Sequence, residues 1–241
     1  TFIHWIGMDT VQHVVFLPGL LDDRAMWAHQ VNGLSNSANP VMLDLVDHGS
    51  VSESAEWVLQ NSPETFALVG FSMGGYVAFE ILRQASHRVS KLALVSTSAR
   101  ADTADRIAER EQLIARAEAG DYASMVDELI PRVLHPSRAD DHALIGTIRE
   151  MALRIGYEAF VRQLRVIMSR PDSRMDLAGI SCPTIVVVGR EDVLTPPELS
   201  EEMAAGIEDS ELVLIDDCNH YTPMERPELV TNALHRWLVN V

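Results

Sequence analysis

Leu68-Val69-Gly70-Phe71-Ser72-Met73-Gly74-Gly75-Tyr76-Val77-Ala78-Phe79-Glu80-Ile81 is the stretch on which the fold turns. Its first part belongs to residues 65–71 (TFALVGF), a short, continuous apolar run that predicts a strand buried on both faces. Its second part, residues 75–84, carries helical periodicity. Between them stands the spacing Gly-x-Ser-x-Gly. A serine at the tip of a sharp strand-to-helix turn has a strained backbone. The residues two positions away come close to the turning chain and must lack side chains. The helix that follows points its N-terminal N–H groups at the serine, where they stabilise a developing oxyanion. A glycine-rich turn of this kind also binds phosphate. Here no Walker lysine follows the glycines, and the Gly-x-Gly-x-x-Gly spacing is absent. Ser72 is therefore the candidate nucleophile, with a purely structural turn as the alternative.

Working outward, similar apolar runs occur at residues 11–17 (VQHVVFL), 41–45, 91–95, 184–188 (TIVVV) and 211–215 (ELVLI). Periodic stretches lie between them at 24–34, 52–61, 197–207 and 227–239. Strand–helix alternation predicts an α/β fold, a doubly wound, mostly parallel sheet with right-handed crossovers. The alternation breaks once. Residues 101–176 hold four helical patterns, at 103–118, 121–133, 141–153 and 157–169, punctuated by Pro131, Pro136 and Pro171. The expected organisation is a core of residues 1–100 and 177–241 with a helical insertion at 101–176.

A serine at its own pKa needs an adjacent base. Of nine histidines, His220 follows the run ELVLI after a short loop, at the carboxyl end of a strand, where doubly wound sheets place their sites. His4 and His13 precede or lie within the first strand. His29 and His235 fall on helices, His87 follows the nucleophile helix, and His135 and His142 lie in the insertion. His48 is the remaining competitor. An orienting acid is expected at another strand end, and Glu191 and Asp192 follow TIVVV.

LVGFSMGGYVAFEI resembles the nucleophile elbow of the α/β-hydrolase superfamily, and other segments are similar to it in the same order. NHYTPMERPELV resembles the family's late histidine segment through His220, Glu225 and Pro227. Asp192 matches the family's acid in Val188-Gly189-Arg190-Glu191-Asp192-Val193-Leu194-Thr195-Pro196. The order Ser72, Asp192, His220 is that of the family. The resemblance implies an oxyanion hole made by the Met73 N–H and by a donor from the loop Phe16-Leu17-Pro18-Gly19-Leu20-Leu21. Family members often carry His-Gly there. Pro18-Gly19 replaces it, which leaves the backbone donor, Leu20 N–H, in place. Asp44-Leu45-Val46-Asp47-His48-Gly49-Ser50 is similar to a family loop that supports the site.

The insertion falls where the family carries a cap, which shapes the substrate pocket. Candidate substrate contacts are Gly19, Trp27, Met125, Leu129, Phe160, Leu164 and Tyr221, with Leu134, Leu153 and Met168 as further apolar candidates. Trp27, which matches a Trp the family often carries, reads first as a packing residue, and helix packing is the favoured reading for each apolar residue of the insertion. Arg154, Arg162 and Arg165 read as a solvated face, with an anion-holding role as the alternative. The implied reaction is hydrolysis of carboxylic esters with small to medium acyl or alcohol groups, needing no cofactor and no metal. The nearest resemblance is to small capped carboxylesterases such as the pimeloyl-carrier methyl-ester esterases. C–C bond hydrolases, cofactor-free haloperoxidases and non-catalytic binding proteins of the same fold stay open.

Composition narrows the partners. Thirty-five acidic and 19 basic residues give a net charge of −16, which disfavours nucleic acid and anionic membrane surfaces. No run approaches the ~20 apolar residues of a membrane span. The start, TFIHWIGMDT, shows no signal-peptide pattern. Two cysteines, Cys182 and Cys218, make no disulfide framework and are expected as reduced buried thiols. The expected setting is cytoplasmic, with a small-molecule ester as partner and a monomer or homodimer as the assembly.

Overall fold

The computed structural model describes residues 12–240. His4, Val11 and the segment TFIHWIGMDT lie outside the described residues. Six strands form one sheet: β1 (Gln12–Leu17), β2 (Ala38–Met42), β3 (Phe66–Phe71), β4 (Val89–Val95), β5 (Thr184–Gly189) and β6 (Ser210–Ile215). Their order is β2-β1-β3-β4-β5-β6, and every pairing is parallel. Apolar runs become central strands because each of their residues needs cover on both faces. All six residues of β3 and of β5 are buried, and each Val or Leu removed from water contributes roughly 1.5–3 kcal/mol.

The helices outside the insertion are α1 (Ala28–Leu34), α2 (Val51–Gln60), α3 (Met73–Ala85), α7 (Pro197–Gly206), the single turn α8 (Thr222–Glu225) and α9 (Pro227–Val239). Local chemistry starts them. Ser50 caps α2, its Oγ accepting from Glu53 N at 3.2 Å, and prolines open α7 and α9, where a missing N–H costs nothing. The periodic stretch at 24–34 divides into a 3₁₀ turn, Arg24–Trp27, and α1.

The largest boundary differences from the sequence reading are at the two ends of β2. β2 begins three residues earlier than expected and includes Pro40, which sits opposite Val14. Among the described residues β2 is an edge strand paired only with β1, so the missing proline N–H breaks no ladder. Residues 43–45 leave the sheet instead and support the insertion.

The chain between β4 and β5 contains no strand. It forms α4 (Ala104–Glu118), α5 (Tyr122–Val133) and α6 (His142–Ser169), with 3₁₀ turns at Pro136–Arg138 and Arg174–Gly179. The two helical patterns expected at 141–153 and 157–169 are joined in α6 across a kink at Gly156, whose φ of 75° breaks the helix. That backbone conformation is cheap for glycine alone. Among the described residues no helix is long and apolar enough to cross a membrane. Both cysteines are free. Cys218 is buried and Cys182, contrary to expectation, only partly so.

Candidate active site

β1 sends the chain to β2 on one side, and β3 lies on its other side, so a crevice opens at their carboxyl ends. This is the topological switch point at which doubly wound sheets bind ligands. Ser72 stands there between β3 and α3 with φ 49° and ψ −112°, a strained conformation for a residue with a side chain. The strand and helix close on each other so tightly that three glycines are required. A Cβ on Gly70 would stand 2.6 Å from the Gly74 carbonyl oxygen, one on Gly74 2.5 Å from that of Leu17, and one on Gly75 would run into Thr97. Ser72 N donates to Val95 O at 2.9 Å, and the Thr97 hydroxyl donates to Ser72 O at 2.7 Å. Neighbouring β4 therefore fixes the turn.

Ser72 Oγ lies 3.0 Å from His220 Nε2. On its far side His220 Nδ1 meets Asp192 Oδ2 at 2.9 Å and Oδ1 at 3.1 Å. Asp192 also accepts from Leu194 N and Thr195 N, both at 2.9 Å, and from the Thr195 hydroxyl at 2.8 Å. Burial works to raise its pKa, but the His220 ring and these hydrogen bonds hold it below the usual carboxylate range. Glu191 points elsewhere and accepts from Cys218 N. His48 packs edge-on against Trp57, away from the serine. Among the described residues no histidine besides His220 lines the cavity above Ser72.

That cavity, about 440 Å³, lies between the carboxyl edge of the sheet and the insertion. Ser72, His220 and Leu20 line its floor, and Met125, Leu129, Phe160 and Tyr221 are also in its wall. The Leu20 and Met73 N–H groups have no hydrogen-bond partner among the described residues. Three expected contacts are not in the wall. Trp27 is fully buried against Phe16 and Phe71. Leu164 is fully buried in the packing of α6. Gly19 is backed by the Phe71 ring and by Asp22, each of which a Cβ would approach to 2.8 Å. Leu134, Leu153 and Met168 also lie off the wall. Arg154 pairs with Asp23 at 2.8 Å, and Arg162 donates to Val46 O at 2.7 Å. The arginines that do line the cavity are others, among them Arg106, Arg110, Arg132 and Arg170.

Several further residues hold the site together; the roles of Gln163 and Asn219 escaped the sequence reading, and Glu225 was marked only by its place in the histidine segment. Gln163, fully buried on α6, accepts from Leu21 N and donates to Leu45 O, both at 3.0 Å. It clamps the loop after β1, where Leu21 takes φ 68°. Its signal was its place at i+3 from Phe160, on the buried helical face. The Asn219 side chain accepts from Val193 N and donates to Arg132 O and Leu134 O, all at 3.1 Å. His220 N donates to Val133 O at 3.1 Å. The end of α5 thus holds the histidine loop directly. Glu225, wholly buried, accepts from Asn219 N at 3.1 Å and His135 N at 2.7 Å. Burial raises its pKa despite those two bonds.

Known proteins agree with this architecture. A family model described as the alpha/beta hydrolase family matches residues 14–233. The chain is 27% identical to a pimeloyl-(acyl-carrier protein) methyl ester esterase of Nitrosomonas europaea, over 89% of this chain and 91% of that protein. Among solved structures, a thermophilic esterase from Thermogutta terrifontis, with malate bound, superposes with a TM-score of 0.87 at 31% identity, covering 94% of this chain and 89% of that one. The enol-lactonase of Burkholderia xenovorans LB400 reaches the same TM-score at 22% identity over 95% and 92% of the two chains, a likeness of fold. With nearly its whole length matched, and with esterases among its relatives, the chain belongs to the alpha/beta hydrolase family.

Proposed function

We propose that the protein is a serine hydrolase of carboxylic esters, working through Ser72, His220 and Asp192 and an acyl-enzyme. The observation that carries this reading is the unbroken line of hydrogen bonds from Ser72 Oγ through His220 to Asp192 at the floor of the cavity. Ser72 Oγ attacks the ester carbonyl as its proton passes to His220 Nε2. The oxyanion is held by the Leu20 and Met73 N–H groups. The tetrahedral intermediate collapses, the C–O bond to the alcohol breaks, and the alcohol leaves with the proton from His220. Water then attacks the acyl-serine by the same route and releases the acid. Asp192, held charged, orients the ring and balances the imidazolium. The insertion acts as a cap that limits water and sizes the substrate. A cavity of about 440 Å³ suits esters with small to medium groups.

Hydrolysis of p-nitrophenyl esters from acetate to dodecanoate, by wild type and Ser72→Ala, tests the reading. Turnover with a short-to-medium optimum is expected, falling by a factor of at least ~10³ in the variant. Turnover that survives the substitution, or a wild type inert to every ester, would sink it.

A further inference from the structure

The loop after β1 and the histidine loop meet at one buried polar contact. The Tyr221 hydroxyl donates to Asp22 Oδ1 at 2.9 Å. Both residues border the cavity. Asp22 has no accessible surface, and its Oδ2 has no hydrogen-bond partner among the described residues. That oxygen lies against Gly19, where a Cβ would come within 2.8 Å of it, one residue before the Leu20 N–H. An ionised carboxylate here would be a buried charge supported only by the Tyr221 hydroxyl and the nearby Gly19 N–H. It would also stand beside the place where the reaction builds negative charge. The titratable and charged groups around it are few. His220 and Tyr221 face it from the loop after β6, and Asp23 lies on its own loop, ion-paired to Arg154 of α6. Burial pushes the Asp22 carboxyl up to about 7. This outweighs the hydrogen bond from Tyr221, the attraction of His220 and the pull of the Gly19 N–H, and Asp23 adds to the rise.

We propose that Asp22 is a positioning residue that works as the neutral acid: it staples the loop after β1 to the histidine loop through Tyr221 without setting a charge against the oxyanion, and on losing its proton to solvent it brings that charge in and turns hydrolysis down. The kinetic half rests on the ester-hydrolase reading. The protonation half does not.

The test is a pH profile of kcat and KM from pH 5 to 9 on p-nitrophenyl acetate, corrected for spontaneous hydrolysis. Wild type, Asp22→Asn and Tyr221→Phe are compared. Wild-type kcat is expected to fall by about tenfold or more between pH 7 and 9, since each pH unit above the pKa removes ~90% of the remaining neutral form. Asp22→Asn keeps the rise at acid pH and loses the alkaline fall. Tyr221→Phe removes the bond that favours the charged form, so its fall moves to higher pH, and this variant carries the test if Asp22→Asn does not fold. A wild type with no alkaline fall, or an Asp22→Asn profile that falls as the wild type does, overturns the proposal.

A second readout is independent of turnover. The infrared carbonyl band of a protonated carboxyl should bleach through pH about 7 in wild type and be missing from Asp22→Asn. Its absence from wild type overturns the neutral-acid assignment. A titrating band in a protein without turnover supports that assignment and overturns the hydrolase reading alone. Stability gives the same sign. A carboxyl pKa raised on folding contributes stability that is lost as pH climbs from about 4 to about 7. Asp22→Asn should lack that component.

Discussion

α3 and α4 follow neighbouring strands, β3 and β4, at the same edge of the sheet, and they are of similar length. They are built on opposite principles. α3 buries nine of its 13 residues, and its glycines let it press against the strand that launches it. α4 buries only Ala117 and turns a charged surface outward. The same division runs through the ion pairs. Asp102, at the start of the insertion, is almost wholly buried between Arg110 and Arg170, at 2.6 and 2.8 Å. Arg170 in turn stacks 4.0 Å from the Tyr76 ring of α3. Arg149–Asp127 and Arg116–Glu128, farther along the insertion, are largely solvated. Ser72, the proposed nucleophile, thus stands on a rigid base. The insertion is tied to the sheet at Asp102, Gln163 and Val133, buries the inner faces of α5 and α6, and leaves α4 and its outlying ion pairs in solvent.

Substitutions can break this contrast or sharpen it. The largest effect falls on the base itself. Asp192→Asn keeps the shape of the acid but removes the charge that balances His220, and kcat should drop by about 10³–10⁴-fold with little change in KM. A loss below tenfold would mean that another group orients the ring. Next comes the seam between the two regions. Asp102→Ala strands two arginines and should cost about 3 kcal/mol in a denaturant melt. The counterpart Asp127→Ala, in the solvated part, should leave the melt unchanged. Equal effects would erase the distinction between the buried and the solvated ion pairs of the insertion. The glycines give the smallest and most direct comparison. Gly74→Ala forces a Cβ toward the Leu17 carbonyl and should destabilise by ~1–3 kcal/mol. Gly146→Ala, with open space around it, should stabilise α6 by up to ~1 kcal/mol. Matching signs from the two would contradict the packing described for α3.

Legibility in the sequence follows the same division. The sheet could be read because strands buried on both faces must be continuously apolar. The serine turn could be read because its glycines answer to local sterics. β2 was displaced because Pro40 looks like a strand breaker until its place at the edge is known. Trp27 and Leu164 read as packing residues and also as candidates for the cavity wall; periodicity foretells burial but not what a side chain is buried against, and both are packed away from the wall. Gln163, Asn219 and Asp22 carried no local mark of their roles. Each acts by joining segments about 30 to 200 residues apart, and only the folded chain brings those segments together.

The account rests above all on Ser72 as an activated nucleophile. The most direct test is the intact mass of the protein after treatment with a fluorophosphonate, followed by peptide mapping, on wild type, Ser72→Ala and His220→Ala. The account predicts one covalent adduct, on Ser72 only, absent from Ser72→Ala and formed far more slowly in His220→Ala. A wild type that stays unmodified, or an adduct on another residue, would contradict it.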